Sequence, residues 1–172
     1  MAIPPPLQNA TTVSTQDILQ AVVDRLTDQL GNLLAVDFFP DRPEDYELNH
    51  VDGALLVSYG GGQFSAPPAS GLSAPALPAR SAPQKRTLKF VVTLLVRALN
   101  GDHGAAEMLD AARGALRGFR PPGCARPLWF TQETPLGAAG GVWQYAIELA
   151  TETWDGAAGP SRVSTTPTQE TP

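Results

Sequence analysis

The chain has 172 residues, a formal net charge of -5 and a single cysteine, Cys124. One thiol excludes an internal disulfide, and with it a disulfide-stapled secreted scaffold, and it fits a reducing compartment. No run approaches the roughly 18 continuous apolar residues of a membrane helix, and the start, MAIPPPLQNATT, has neither a basic stretch nor an apolar signal core, so a soluble protein made in the cytoplasm is expected.

Charge is blocked along the chain. Residues 1–60 sum to -7, residues 61–130 to +6 and residues 131–172 to -4. An acidic total argues against generic nucleic-acid binding, whereas acidic flanks around a basic middle suit head-to-tail association of identical copies. The 17 prolines and 16 glycines concentrate in a few segments. One folded domain is therefore expected over residues 15–154, with a flexible Pro-rich start at 1–14 and a flexible tail at 155–172.

In chain order, Ser14 offers a capping hydroxyl to an apolar series at Ile18, Leu19, Val22, Val23, Leu26 and Leu30, the spacing of one helix face, and Gly31 closes it. Leu33 to Phe39 is short, apolar and partly β-branched, which predicts a strand that stops at Pro40 in a Pro/Asp turn. Ala54 to Tyr59 predicts a second strand. Residues 60–84 are almost wholly Gly, Ala, Ser and Pro and predict a long loop, disordered or functional.

Thr87 to Val96 alternates, with Leu88, Phe90, Val92, Leu94 and Val96 on one face. Val91 and Leu95 interrupt the polar face, as they would in a central strand or at a subunit contact. Asp102 to Arg117 has the apolar stripe of a helix, ended by Pro121 and Pro122. Two strands follow, Pro127 to Pro135 and Val142 to Trp154, around the turn LGAAGG. The order predicts an α+β fold: a mostly antiparallel sheet of about five strands with two helices packed on one face.

Chemistry-bearing patterns are sparse. Cys124 lies in GFRPPGC, and a nucleophilic thiol needs a base or cationic neighbour. His103 begins the helix whose far end leads to Cys124, about 24 Å away at 1.5 Å per residue, so only His50 could serve it. Arg120 and Arg126 flank the thiol, and helix capping explains them equally well. A small cysteine-dependent enzyme using Cys124 is the competing reading from another class. Three Cys and His residues in all, far apart, do not make a zinc site, and Asp41, Glu44, Asp45 and Glu47 lack the ligand alternation and glycine of a calcium loop. No metal, cofactor or catalytic residue is expected. Gly60-Gly61-Gly62 follows a strand without the Lys and helix of a phosphate loop. Arg80, Lys85, Arg86 and Lys89 gather with too few aromatics for a nucleic-acid surface.

An extended pattern carries a resemblance: FFPDRPEDYELNHVDGALLVSYGGGQF, then QKRTLKFVVTLLVRALNGDHGAAEMLDAARGALRGFRPPGC, then GVWQYAIELATET. Over residues 15–154 the chain resembles the tail-terminator family of Mu-like and related long-tailed bacteriophages. The resemblance implies a tail-terminator-like fold and a structural virion protein, not an enzyme. It would form a homo-oligomeric, hexameric ring at the head-proximal end of the tail, end polymerisation of the tube protein and present a surface to the head-tail connector or stopper. Another head-tail joining or neck protein is the nearest alternative. A membrane or sequence-specific nucleic acid is not implied, and contact with DNA passing through the lumen is compatible. The loop from Ser65 to Ala82 is longer than the pattern needs. As subunit or partner contacts, the candidates are Phe64, Arg80, Lys85, Arg86, Lys89, Val91, Leu95 and Arg120.

Overall fold

A computed structural model of the protein describes residues 13–66 and 84–155. Helix α1 spans Thr15–Leu30 and starts in a capping box: the Asp17 amide donates to Ser14 Oγ at 3.1 Å, and the Ser14 amide donates to Asp17 Oδ2 at 2.9 Å. Two amides at the helix start are thereby satisfied, and the Asp17 carboxyl pKa is lowered by the Ser14 hydroxyl, which donates to Oδ2 at 2.8 Å, and then by the Ser14 amide. Its buried face is the predicted one, Ile18, Leu19, Val22, Val23, Leu26 and Leu30. Gly31 caps the end through its amide to Thr27 O.

Strand β1 (Ala35–Phe38) runs parallel to β2 (Gly53–Phe64); β2, β3 (Gln84–Val96), β5 (Val142–Asp155) and β4 (Trp129–Ala139) are antiparallel neighbours, in the order β1-β2-β3-β5-β4. Helix α2 spans Ala105–Leu116. The fold is α+β, with a mostly antiparallel sheet. Both helices lie on the face formed by Leu55, Val57, Leu88, Phe90, Val92, Leu94, Ile147 and Leu149, all fully or almost fully buried with the helices' apolar stripes. Arg25 ties α1 to α2: its Nε donates to Ala115 O at 2.9 Å, and its guanidinium lies over the Phe119 ring.

Between β1 and β2 the chain makes an excursion over residues 39–52, with one 3-10 turn at Pro43–Asp45. Tyr46 and Leu48 pack on Ala54, Leu56 and Leu95 of the other sheet face, and Arg97 Nη2 donates to Leu48 O at 2.7 Å. Part of the second face is thus covered by the chain itself, which accounts for the apolar Leu95 on β3, the middle strand of five.

Several predicted boundaries are corrected. Gly60–Phe64 and Gln84, expected in the long loop, are strand, and β3 begins at Gln84 instead of Thr87: the β2–β3 ladder continues past Tyr59/Phe90 to Phe64/Arg86 through a bulge between Tyr59 and Gly61. Gly61 has φ +105, a backbone state that suits glycine, so the composition that suggested a loop supplies the bulge instead. Tyr59–Phe64, Gln84–Lys89 and, beside them, Ala150–Asp155 of β5 form a three-stranded arm at this end of the sheet. Loop residues 67–83 lie outside the described residues, as do 1–12 and 156–172. The LGAAGG turn contracts to Gly140-Gly141, both at positive φ as a two-residue hairpin turn requires, and Leu136–Ala139 join β4. Helix α2 begins at Ala105, not Asp102, because residues 101–104 form a turn with His103 at φ +62.

Candidate functional site

Four of the predicted contact residues lie on the arm, Phe64 and Arg86 together on its helix side and Lys85 and Lys89 on the opposite face. Sheet register explains how. Phe64 stands opposite Arg86, and the bulge at Gly61 keeps Tyr59 on the same face. The Arg86 guanidinium then lies 5.3 Å from the Phe64 ring centre and 5.9 Å from that of Tyr59. It donates to the Tyr59 hydroxyl at 2.8 Å and to Thr15 Oγ1 at 3.0 Å, joining the arm to the start of α1. Gly62 is needed beside it: a Cβ there would stand 2.9 Å from the Tyr59 hydroxyl and 3.4 Å from Arg86 Nε. Arg86 Nε is buried with no acceptor among the described residues.

On the opposite face of the arm, Lys85 Nζ binds Glu152 Oε1 at 3.0 Å, and Arg126 reaches the same oxygen at 3.8 Å while lying over the Trp129 ring. Lys89 is exposed, and neither it nor Arg86 has a carboxylate partner among the described residues. Val91 is half-buried farther along β3. Leu95 is only 7% exposed and lies under the excursion, so its apolar surface is covered largely from within the chain. Arg120 is exposed in the turn after α2, apart from the arm group. Arg80 lies outside the described residues.

At the other end of β3, the uncovered sheet face sinks into an apolar cleft of about 390 Å³. Leu56, Thr93, Leu95 and Gln144 line its strand side; Phe39, Tyr46 and Leu48 come from the excursion, and Val142 from the β4–β5 hairpin. A shallower concavity adjoins it, lined by Asp41, Asp45 and Glu47. The segment Asp41–Glu47 holds four carboxylates against one guanidinium, Arg42, and the Arg42–Asp45 pair is exposed at 4.0 Å. The sequence showed these acids only as a solvated turn; their place on a cleft rim depends on Tyr46 and Leu48 folding back across the sheet. Tyr59 was also missed as a partner of Arg86, since strand alternation assigns it to the core face and gives no sign that the ladder extends beyond it.

Cys124 is 8% exposed. Burial raises its thiol pKa, against smaller opposing effects of a hydrogen bond with Thr151 and the nearby Arg120 charge, so the thiolate is disfavoured at neutral pH. The turn around it is clamped to β5: Thr153 Oγ1 donates to Gly123 O at 3.0 Å, Thr151 Oγ1 to Arg126 O at 2.7 Å, and the Ala125 amide to Glu152 O at 2.6 Å. Both histidines belong to the opposite end of the sheet. His50 Nδ1 accepts from the Asp52 amide at 3.3 Å, and His103 Nδ1 lies 3.2 Å from Asp52 Oδ1, just before Gly53 pairs with Val96. Thr151, beside Cys124, pairs with Leu88, and Leu88 to Val96 spans about 26 Å at the usual strand rise. No histidine therefore serves the thiol. Among the described residues no group of three or more His, Cys, Asp or Glu side chains could hold a metal, and no helix is long and apolar enough to cross a membrane.

No curated protein matches the sequence. Among solved structures the chain is similar to the sheath/tube terminator, in its extended state, of an extracellular contractile injection system, PVC. Identity is 14% and the TM-score 0.43, over 96% of this chain and 66% of that one, so this chain spans just under two thirds of its length. A family model described as Gp37 protein matches residues 22–163, from within α1 to beyond β5. The chain belongs to the Gp37 protein family.

Proposed function

We propose that the chain is a structural protein of a phage-type tail: a terminator that forms a ring of identical copies, hexameric by resemblance, on the head-proximal end of the tail tube. The ring ends tube polymerisation and offers its far surface to a head connector or stopper. Its place is the virion, with DNA passing through the lumen.

The observation that carries this reading is where the residues of the tail-terminator pattern fall. Phe39-Pro40-Asp41 ends β1 and opens the excursion that walls the cleft. Tyr59-Gly60-Gly61 makes the bulge of the arm. The FRPPG turn, Phe119 to Gly123, is pinned to β5 through Thr153. These residues shape turns, a bulge and strand ends, and none of them pairs as nucleophile and base. A protein that works by surface complementarity is built this way, and its unlike charged patches suit contacts between different faces of identical copies.

The test adds the purified full chain to polymerising tube protein and measures tube length by negative-stain microscopy. Termination predicts shorter tubes with added density at one end. Unchanged lengths, or decoration along the whole tube, contradict it.

A further inference from the structure

The geometry points to the subunit contact itself: the arm of one copy, through Phe64 at the end of β2, seats in the cleft beside Asp41, Asp45 and Glu47 of the next copy. This rests on the ring reading above and adds the two surfaces that join.

The arm has the properties of an inserted element. Beyond Val57, which accepts from the Phe39 amide, β2 has no strand neighbour on its outer side among the described residues, so Ser58–Phe64 presents an open edge. That edge, SYGGGQF, carries no charge and no proline. The sheet's other edge, β4, is guarded by Pro135, Glu133 and two bulges, the usual devices against strand addition. The β2 edge has one bulge, at Gly61, but neither charge nor proline, and such an edge remains open to a partner. Phe64, 54% exposed, and Trp154, 37% exposed, add apolar surface at the same end.

The cleft has the complementary properties. Its floor is apolar and its volume admits an aromatic side chain. The concavity adjoining it carries Asp41, Asp45 and Glu47, whereas the arm carries Arg86 on its helix side and Lys89 on the opposite face, neither with a carboxylate partner among the described residues. Opposite charges of this kind fix register and speed encounter more than they add affinity, which leaves the aromatic insertion as the anchor.

The arm cannot fill the cleft of its own chain. One strand, β3, carries both: Arg86 belongs to the arm and Leu95 to the cleft floor, about 30 Å apart at the strand rise. Two unlike patches on one rigid strand give a heterologous contact, which propagates from copy to copy and closes into a ring when the rotation permits.

The test uses native mass spectrometry and light scattering of the full chain as wild type, Phe64→Asp, and Asp45→Lys/Glu47→Lys. The wild type is expected to form a closed oligomer, and each variant to weaken it at least about tenfold in dissociation constant. Mixing the two variants leaves one intact arm and one intact cleft, so a 1:1 heterodimer is expected that neither forms alone. A wild-type oligomer untouched by both variants overturns this interface and leaves the ring reading standing. A variant-resistant oligomer that is lost on removing residues 1–12 or 156–172 assigns the contact to a terminal segment and likewise overturns it. A wild type monomeric at every concentration overturns the arm–cleft contact of free chains, while the ring reading stands or falls separately on tube length.

Discussion

At Arg86 a single guanidinium meets two aromatic rings, a phenol of β2 and a hydroxyl of α1. Lysine keeps the charge and loses the planar fork, so Arg86→Lys is expected to destabilise the fold by about 1–2 kcal/mol in chemical denaturation. An unchanged midpoint would remove the structural role assigned here. Cys124→Ser behaves differently: with a buried thiol, no histidine in reach and a turn held by Thr151 and Thr153, particle assembly is expected to be intact. Loss of infectivity with normal assembly would revive a chemical role for the sulfur. His103 supplies a pH handle. Its hydrogen bond and charge interaction with Asp52 raise its folded pKa, so the pair's stabilisation is fully present below the unfolded value of about 6.5 and disappears as pH rises through the raised folded value. In an NMR titration, Asp52→Asn should lower the His103 pKa; an unmoved titration would break the link.

The elements differ in how readily they were legible. Helix α1 was read correctly to its last buried residue, because Ser14, Asp17 and six apolar residues at helical spacing agree at every level. Ser14→Ala should therefore cost about 1 kcal/mol in thermal or denaturant unfolding, with no effect on oligomer state. The arm was missed for a physical reason. GGG predicts a loop locally, whereas the ladder from β3 recruits its backbone groups and uses Gly61 at φ +105 as a bulge. Gly61→Val, strained at that φ, should disorder the arm, exposing the Tyr59 to Phe64 amides in hydrogen exchange while those of Leu55 and Val57 stay protected. Of the candidate surface, the basic half was visible as Lys85, Arg86 and Lys89. The cleft was not, since it requires residues 39–48 to cross a sheet face, a tertiary event with no local signature.

On the scale of the whole molecule, one five-stranded sheet separates two environments: a helix-covered face that supplies the core and carries Arg86 and Phe64 at the arm end, and an opposite face with Lys85 and Lys89 at the arm end and the cleft at the other. The basic middle and acidic start of the sequence become patches at opposite ends of the sheet, and assembly governed by them should weaken as salt rises. The most direct measurement of the central claim is the length of tails, by electron microscopy, in particles made without this chain. Termination predicts overlong or headless tails, restored to normal by supplying the wild-type chain. Normal-length tails joined to heads would contradict it.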